Sequence, residues 1–161
     1  MSKIKEILKD DNSVLVFDID GVLAIMEWGE YHHYIADDYI WANMYSNGEC
    51  YYTEEYVSKK MQDFLKMKNK SRVYIITKAF SQNEANDKMN FAFKYYGIPK
   101  ENLFYVEDNM EKYKILFEIK KKYPELPDHN LVMIDDTVDV LTSIMDKTPF
   151  STAHVSSFLD I

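Results

Sequence analysis

The sequence is poor in cysteine, glycine and proline. Its 161 residues include one cysteine, four glycines and four prolines. The lone cysteine, Cys50, excludes an internal disulfide and a cage of thiolate metal ligands. No Gly/Ser-rich linker, low-complexity tract or internal repeat divides the chain, and its length suits one domain of about 100–150 residues. We therefore expect a single domain over residues 1–161.

Long apolar runs and an excess of basic residues are also missing. No window approaches the roughly 20 apolar residues that a membrane-spanning helix needs. The N-terminal segment is charged throughout, so we expect neither a signal peptide nor a membrane anchor. Asp and Glu number 27 against 19 Lys and Arg, a formal net charge of −8, which opposes non-specific binding to nucleic acid or to an anionic membrane. We expect a cytoplasmic protein that binds a small ligand together with a metal.

Apolar side chains are numerous enough to form a folded core. Hydrophobic residues make up 47% of the sequence and aromatic residues 15%, which is too many for a disordered chain. Short apolar runs rich in β-branched and aromatic residues predict buried strands. Four runs are clear and a fifth is weaker; they cover residues 14–17, 73–76, 103–106, 131–134 and, for the weaker one, 150–155.

Segments with helical spacing separate the predicted strands. The clearest begins with a capping box from Ser81 to Glu84 and ends at Gly97 and Pro99. Strands that alternate with helices over short connections predict an α/β fold, with a doubly wound, Rossmann-like, mostly parallel sheet of about five strands and helices on both faces. Such sheets bind ligands at the carboxyl ends of their strands. The apolar helical spacings are Ala85, Met89, Ala92, Phe93 and Tyr96; Val57, Met61, Phe64 and Leu65; Ile115, Leu116 and Ile119; and Val140, Leu141, Ile144 and Met145.

Residues 24–52 interrupt this alternation between the first strand and the next helix. A structureless loop of that length is uncommon inside a compact domain, so we expect a small, partly helical cap over the site. Its aromatic rings are expected to pack within the cap, with stacking on a nucleobase as the alternative. We expect His32 and His33 at the surface or against substrate, since consecutive side chains rarely share a direction and no third metal ligand has suitable spacing. The aromatic residues of this segment are Trp28, Tyr31, Tyr34, Tyr39, Trp41, Tyr45, Tyr51 and Tyr52.

Pairs of carboxylates follow two of the predicted strands. Asp18 and Asp20 leave the first strand on extended backbone, so both face the ligand crevice. Asp135 and Asp136 end the fourth strand, which borders the same crevice. Carboxylates this close repel one another unless a cation lies among them, and oxygen ligands suit Mg²⁺ rather than Zn²⁺. The alternative for the second pair is that it only caps the following helix.

Carboxylates around a metal suit phosphoryl transfer, in which the metal neutralises phosphoryl oxygens and a carboxylate serves as nucleophile. Asp18 is the candidate nucleophile, forming an aspartyl-phosphate, and Asp20 the candidate acid and base. Thr77, at the end of the second strand, could hold a phosphoryl oxygen. Lys112, near the start of the helix after the third strand, could neutralise phosphate and nucleophile. Lys114 is the alternative, but the apolar face of that helix favours Lys112 on the first turn.

The residues around Asp18, Val-Leu-Val-Phe-Asp-Ile-Asp-Gly-Val at 14–22, resemble the signature of the haloacid dehalogenase superfamily. Tyr-Ile-Ile-Thr at 74–77 resembles its second motif, Lys112 its third, and Val-Met-Ile-Asp-Asp at 132–136 its fourth, all in family order. Members with an acid two residues after the nucleophile are mostly phosphatases or phosphotransferases, whereas the dehalogenases lack it. The resemblance implies these roles: Asp18 as nucleophile and metal ligand, Asp20 as acid/base residue and backbone ligand of Mg²⁺, Thr77 and Lys112 as phosphate ligands, and Asp135 and Asp136 as metal ligands.

We therefore expect a Mg²⁺-dependent phosphate-monoester hydrolase that acts on a small phosphorylated metabolite or a nucleotide. The segment after Thr77, with Lys88 and Phe91, is similar to the deoxyribonucleotidase and polynucleotide-phosphatase branches. Two alternatives keep the same fold: a non-catalytic module that binds phosphate or Mg²⁺, and a phosphotransferase to an acceptor other than water. Asp139 matches a further acid of the fourth motif only if Asp135 is the leading ligand, and both registers stay open.

Overall fold

The computed structural model describes residues 3–25 and 52–161. Apart from its ends, the predicted cap lies outside the described residues, as do His32, His33 and Cys50. Within the described ranges no helix combines the length and apolarity needed to cross a membrane. The strands are β1 (Val14–Phe17), β2 (Val73–Lys78), β3 (Leu103–Val106), β4 (Leu131–Asp135) and β5 (Ser151–His154). The α-helices are α1 (Lys3–Lys9), α2 (Lys59–Lys66), α3 (Gln82–Tyr96), α4 (Lys112–Lys121) and α5 (Val138–Lys147).

The five strands form one parallel sheet in the order β3-β2-β1-β4-β5. β1 is central, because Phe17 pairs with Ile75 of β2 on one side and with Ile134 of β4 on the other. The chain builds the sheet outward from β1 to β3 and then returns to add β4 and β5 on the opposite side. This reversal makes the carboxyl ends of β1 and β4 the expected position of a ligand crevice. The predicted α/β, doubly wound fold is confirmed.

The side chains of β1 alternate between two hydrophobic cores, one on each face of the sheet. Leu15 and Phe17 belong to one core, which includes apolar residues of α1, α2 and α3. Val14 and Val16 belong to the other, which includes apolar residues of α4 and α5. All four side chains are at most 1% exposed, and burial of each such residue is worth about 1.5–3 kcal/mol. Helices on both faces therefore hold β1 rigidly and fix the residue that follows it.

Helix α3 begins and ends where its capping residues predict. The Ser81 side chain accepts from the backbone N–H of Glu84 (3.2 Å), and the helix ends at Gly97, whose φ of 67° is in the left-handed region. The predicted apolar face of this helix is only partly correct, because Phe93 is 54% exposed. Glu84 and Lys88 are buried instead, at 2% and 1% exposure. The helix is rotated so that two charged side chains face the protein interior.

Two other helix predictions need smaller corrections. Val57 precedes α2 rather than lying in it, because the Ser58 side chain caps the helix and Val57 forms a β-bridge with Ala24. Met145 is 62% exposed although it was predicted on the buried face of α5. The remaining apolar residues of that face, Val140, Leu141 and Ile144, are buried as predicted.

Candidate active site

The carboxyl ends of β1 and β4 bring three acidic residues together. Asp18 directly follows β1, and its backbone N–H donates to the Ile134 carbonyl of β4 at 2.9 Å. Asp135 ends β4, and Asp136 follows it. One carboxylate oxygen from each of Asp18, Asp135 and Asp136 lies within 4.8 Å of the other two. We call these three residues the acidic cluster.

Lys112, the first residue of α4, contacts the acidic cluster directly. Its Nζ lies 3.1 Å from Asp18 Oδ2 and 2.8 Å from Asp135 Oδ2, and its side chain is fully buried. Burial alone would lower the pKa of Lys112, but the two carboxylates outweigh that effect and raise the pKa above its ordinary value. Lys114 is exposed and pairs with Glu111. Of the two candidate lysines, Lys112 is therefore the one that lies at the carboxylates.

One ammonium group does not balance three carboxylates. The pKa of Asp18 is raised from 3.8 to about 6: burial is the largest cause, Lys112 opposes the rise, Asp135 and Asp20 contribute to it, and Lys88 opposes it. Burial and the neighbouring Asp18 also raise the pKa of Asp136. These shifts mean that the acidic cluster carries more negative charge than its surroundings stabilise, so an added cation would lower the free energy of the ionised site.

An unpaired oxygen lies within the acidic cluster. Asp18 Oδ1 is buried and has no hydrogen-bond partner among residues 3–25 and 52–161. A buried polar atom without a partner costs about 1–3 kcal/mol, and more when it is charged. Because Asp18 Oδ2 already contacts Lys112, Oδ1 is the oxygen left for another ligand. A bound cation would supply the missing partner.

Gly21 allows the segment after Asp20 to lie against Asp136. Its φ is +73°, which side chains disfavour, and a Cβ at this position would come within 2.1 Å of Asp136 Oδ2. From the far side, His154 Nε2 lies 3.0 Å from the Asp136 backbone oxygen. Asp136 is thus held between a glycine turn and the end of β5. Any side chain larger than hydrogen at residue 21 must displace the Asp136 carboxylate.

The donor set fits a hard divalent cation. Carboxylate oxygens from Asp18, Asp135 and Asp136 are the ligands that Mg²⁺ prefers, whereas Zn²⁺ prefers nitrogen and sulfur. Asp135 and Asp136 both contribute oxygens to the acidic cluster. Asp139 is exposed in the first turn of α5 and is not part of this cluster.

Thr77 is fully buried in β2 rather than at its end, because the strand continues through Lys78. Ile75 pairs with Phe17 of β1, so Thr77 lies level with the segment that begins at Asp18. Its Oγ1 lies 3.5 Å from the Lys78 carbonyl oxygen. Thr77 therefore lies near the carboxyl end of β2, one residue before the strand ends, and its role as a phosphate ligand stays a prediction.

Asp20 lies beside the acidic cluster in a network that sequence reasoning missed. Asp20 Oδ2 contacts Lys88 Nζ at 2.7 Å, and Asp20 Oδ1 accepts from the Tyr52 hydroxyl at 2.7 Å. Lys88 also pairs with Glu84, whose Oε1 is 2.8 Å away. The signal was present in the sequence, since Lys88 lies three residues after Ala85 and four before Ala92, within the apolar stripe of α3. A charged residue within a buried stripe indicates a charged partner.

Comparison with models of known protein families gives no match, and comparison with curated proteins gives none either. Among solved structures, the chain is similar to DsGPDH of Dunaliella salina, with a TM-score of 0.57 and 13% sequence identity. The match covers 94% of this chain and 25% of that one, so this chain spans about a quarter of the length of DsGPDH. At this identity the likeness shows the fold alone: the protein is an α/β protein with a parallel, Rossmann-like sheet.

Proposed function

We propose that this protein is a Mg²⁺-dependent phosphatase of the haloacid dehalogenase superfamily, acting on a small phosphomonoester through an aspartyl-phosphate. The observation that carries the proposal is the buried Asp18 carboxylate, with one oxygen on Lys112 and the other without a partner among the described residues, inside a cluster of three acids. A carboxylate used only for stability would not be expected to keep a buried unpaired oxygen. A carboxylate that serves as nucleophile and metal ligand would be expected to keep such an oxygen free for its ligand.

Asp18, Asp135 and Asp136, with the backbone carbonyl of Asp20, would hold the metal. When bound, Mg²⁺ supplies positive charge against the phosphoryl oxygens. Lys112 supplies a second positive charge at Asp18, and the Thr77 hydroxyl would donate to a phosphoryl oxygen. These positive and donor groups stabilise the charge that spreads over the phosphoryl group during transfer.

The chemistry divides into two displacements at phosphorus. First, an Asp18 carboxylate oxygen forms a bond to phosphorus while the ester P–O bond breaks, and Asp20 gives its proton to the leaving oxygen. Second, Asp20 takes a proton from water as the water oxygen attacks phosphorus. The bond between Asp18 and phosphorus then breaks, which releases inorganic phosphate and restores both aspartates.

Release of inorganic phosphate tests this proposal. Substrates would be p-nitrophenyl phosphate and a panel of nucleoside monophosphates, with Mg²⁺ and with EDTA. We expect Mg²⁺-dependent release that Asp18→Asn abolishes. Asp63→Asn should leave release unchanged, because Asp63 is exposed and pairs with Lys66 on its own helix. Activity retained in Asp18→Asn would refute the mechanism.

Two further outcomes of the same assay would replace the proposal. Mg²⁺ binding without turnover across the panel would identify a non-catalytic binding module. Loss of substrate without matching release of phosphate, together with a phosphorylated alcohol or nucleoside when such an acceptor is added, would identify a phosphotransferase.

A further inference from the structure

We propose that Lys88 and Glu84 of helix α3 are positioning residues that hold the Asp20 carboxylate for its two proton transfers. The inference rests on the proposed function, since it concerns how Asp20 performs its part. Neither residue belongs to the acidic cluster, and neither lies on the strand ends where the sequence motifs fall.

All three protons of the Lys88 ammonium group have acceptors. Its Nζ contacts Asp20 Oδ2 at 2.7 Å and Glu84 Oε1 at 2.8 Å, and it also donates to the backbone carbonyl of Lys78 at the end of β2. The Lys88 side chain is 2% exposed and that of Glu84 is 3% exposed. Lys88 therefore links helix α3 to β2 and to Asp20 through one buried group.

Glu84 is itself held in place. Its Oε2 accepts from the backbone N–H of Phe80 at 2.7 Å, while its own backbone N–H donates to the Ser81 side chain. The first turn of α3 thus fixes Glu84, and Glu84 fixes Lys88. On the Asp20 side of this network, the Tyr52 hydroxyl donates to Asp20 Oδ1, the oxygen that Lys88 does not contact. Each oxygen of Asp20 therefore has its own donor, Lys88 for Oδ2 and Tyr52 for Oδ1.

Stability alone does not account for this arrangement. Taking charges out of water costs several kcal/mol per ion, and a buried ion pair is often no more stable than well-packed apolar residues of similar volume. Helix α3 could bury apolar side chains at positions 84 and 88, as it does at Phe91 and Ala92. Charged residues at these positions are instead what a carboxylate with a defined orientation requires.

A fixed orientation matters because Asp20 must reach two different oxygens in turn. It first gives a proton to the leaving oxygen and then takes one from water. A carboxylate free to rotate would lose the geometry that proton transfer needs. Held by Lys88 and Tyr52, Asp20 is restricted to one orientation beside Asp18.

Substrates with different leaving groups distinguish the role of Asp20 in forming the aspartyl-phosphate from its role in hydrolysing it. A p-nitrophenolate leaves without a proton, so formation of the aspartyl-phosphate from p-nitrophenyl phosphate does not need Asp20 as an acid. An alkyl phosphate needs that proton in the first step. Hydrolysis of the intermediate needs Asp20 as a base for both substrates. Loss of Asp20 positioning therefore predicts a burst of p-nitrophenolate followed by slow turnover.

The test uses the double variant Glu84→Gln/Lys88→Met. It removes both charges together, so that neither residue is left as an unpaired buried ion, and glutamine keeps an acceptor for the Phe80 N–H. Lys94→Met on the exposed side of the same helix is the matched control, since Lys94 is exposed and its Nζ lies over the Tyr95 ring, 4.8 Å from the centroid. Far-UV circular dichroism and thermal unfolding check the fold. Stopped-flow absorbance with p-nitrophenyl phosphate follows the first step, and steady-state assays use the nucleoside 5′-monophosphate that wild type hydrolyses fastest, which is an alkyl phosphate.

For the double variant we expect a burst of about one p-nitrophenolate per active site and a kcat on the nucleoside monophosphate about 100-fold below wild type, in the range of a general acid or base. KM should change little, and Lys94→Met should behave as wild type. Three results for the double variant would overturn the positioning role: equal losses of activity on both substrates without a burst, unchanged kinetics, or loss of the fold. In each case, activity of the wild-type protein would still support the proposed phosphatase function. If wild type itself releases no phosphate, both proposals fail.

Discussion

Replacing the buried Asp18 by its neutral isostere should stabilise the metal-free protein. The substitution is Asp18→Asn, which keeps the shape of the side chain and removes its charge. Asp18 is 6% exposed and lies against Asp135 and Asp136. Its charge is therefore a cost to folding that the proposed function requires and stability does not.

The size of the effect follows from the pKa of Asp18. Burial, which is the largest cause, raises this pKa from 3.8 to about 6 despite the opposing charge of Lys112. Each tenfold change in an equilibrium constant is about 1.4 kcal/mol, so ionised Asp18 lowers the free energy of unfolding by about 3 kcal/mol. Asp18→Asn should recover up to that amount at pH 7 to 8.

The increase in unfolding free energy caused by Asp18→Asn should become smaller as the pH falls. Above about pH 6, Asp18 is ionised in both the folded and the unfolded protein, and the full cost is present. As the pH falls from about 6 to 3.8, the folded protein takes up the proton first and the cost shrinks. The difference between variant and wild type should be close to zero at pH 3.8 and below.

Urea unfolding in EDTA, followed by circular dichroism at pH 4 and pH 7.5, measures both predictions. Asp63→Asn is the control, because Lys66 lowers the pKa of that exposed carboxyl and its charge carries no folding cost. Added Mg²⁺ should stabilise wild type by about 2.7 kcal/mol at 100 times its Kd. It should therefore reduce the difference in unfolding free energy between Asp18→Asn and wild type. A metal-free Asp18→Asn protein less stable than wild type at pH 7.5 would show that the Asp18 charge carries no folding cost.

Three further substitutions test the site and its support. Gly21→Ala should weaken Mg²⁺ binding in isothermal titration calorimetry, because its Cβ would come within 2.1 Å of Asp136 Oδ2. Lys112→Met should cost about 3–5 kcal/mol of unfolding free energy in EDTA, since it leaves buried carboxylates without their cation. Tyr96→Phe should cost about 0.5–1.5 kcal/mol in urea unfolding, because the hydroxyl's hydrogen bond from the Ser58 N–H (2.9 Å) is lost while that N–H keeps the Leu23 carbonyl at 3.1 Å.

Each of these has a control or a contradicting result. Gly97 shares the positive φ, but among the described residues a Cβ there would meet Lys70 Cε alone, at 3.7 Å. Gly97→Ala should therefore leave Mg²⁺ binding intact, and equal effects at both glycines would contradict the steric argument. Lys114→Met, at an exposed site, should change stability by less than about 0.5 kcal/mol. A Tyr96→Phe protein as stable as wild type would mean that the hydroxyl is not needed there.

The fold was predictable because its signals are local. Each strand of the parallel sheet is a short apolar run, and buried strands of this kind need no alternation to be recognised. The limits of α3 followed from Ser81 and Gly97, whose capping chemistry is independent of the rest of the chain. Strand ends were less predictable, because β2 continues to Lys78 through pairing with β3, which sequence spacing does not report.

The site was predictable where it lies on strand ends and not where it lies on a helix face. Asp18 and Asp135 follow or end adjacent parallel strands, so topology alone brings them together. Lys88 and Glu84 reach Asp20 only because of how α3 is rotated about its axis. That rotation is decided by packing against the sheet, which leaves Phe93 exposed and turns two charges inward. A helix face predicted from the spacing of hydrophobic residues alone does not include buried charged residues such as Glu84 and Lys88.

The central claim is that Asp18 becomes covalently phosphorylated. The most direct measurement is reductive trapping: the protein is mixed with Mg²⁺ and p-nitrophenyl phosphate, treated with borohydride, digested and sequenced by mass spectrometry. Borohydride reduces an aspartyl-phosphate to homoserine, so we expect homoserine at position 18 only, with none in EDTA. Phosphate release that proceeds with residue 18 still aspartate, or homoserine at another carboxylate, would contradict it.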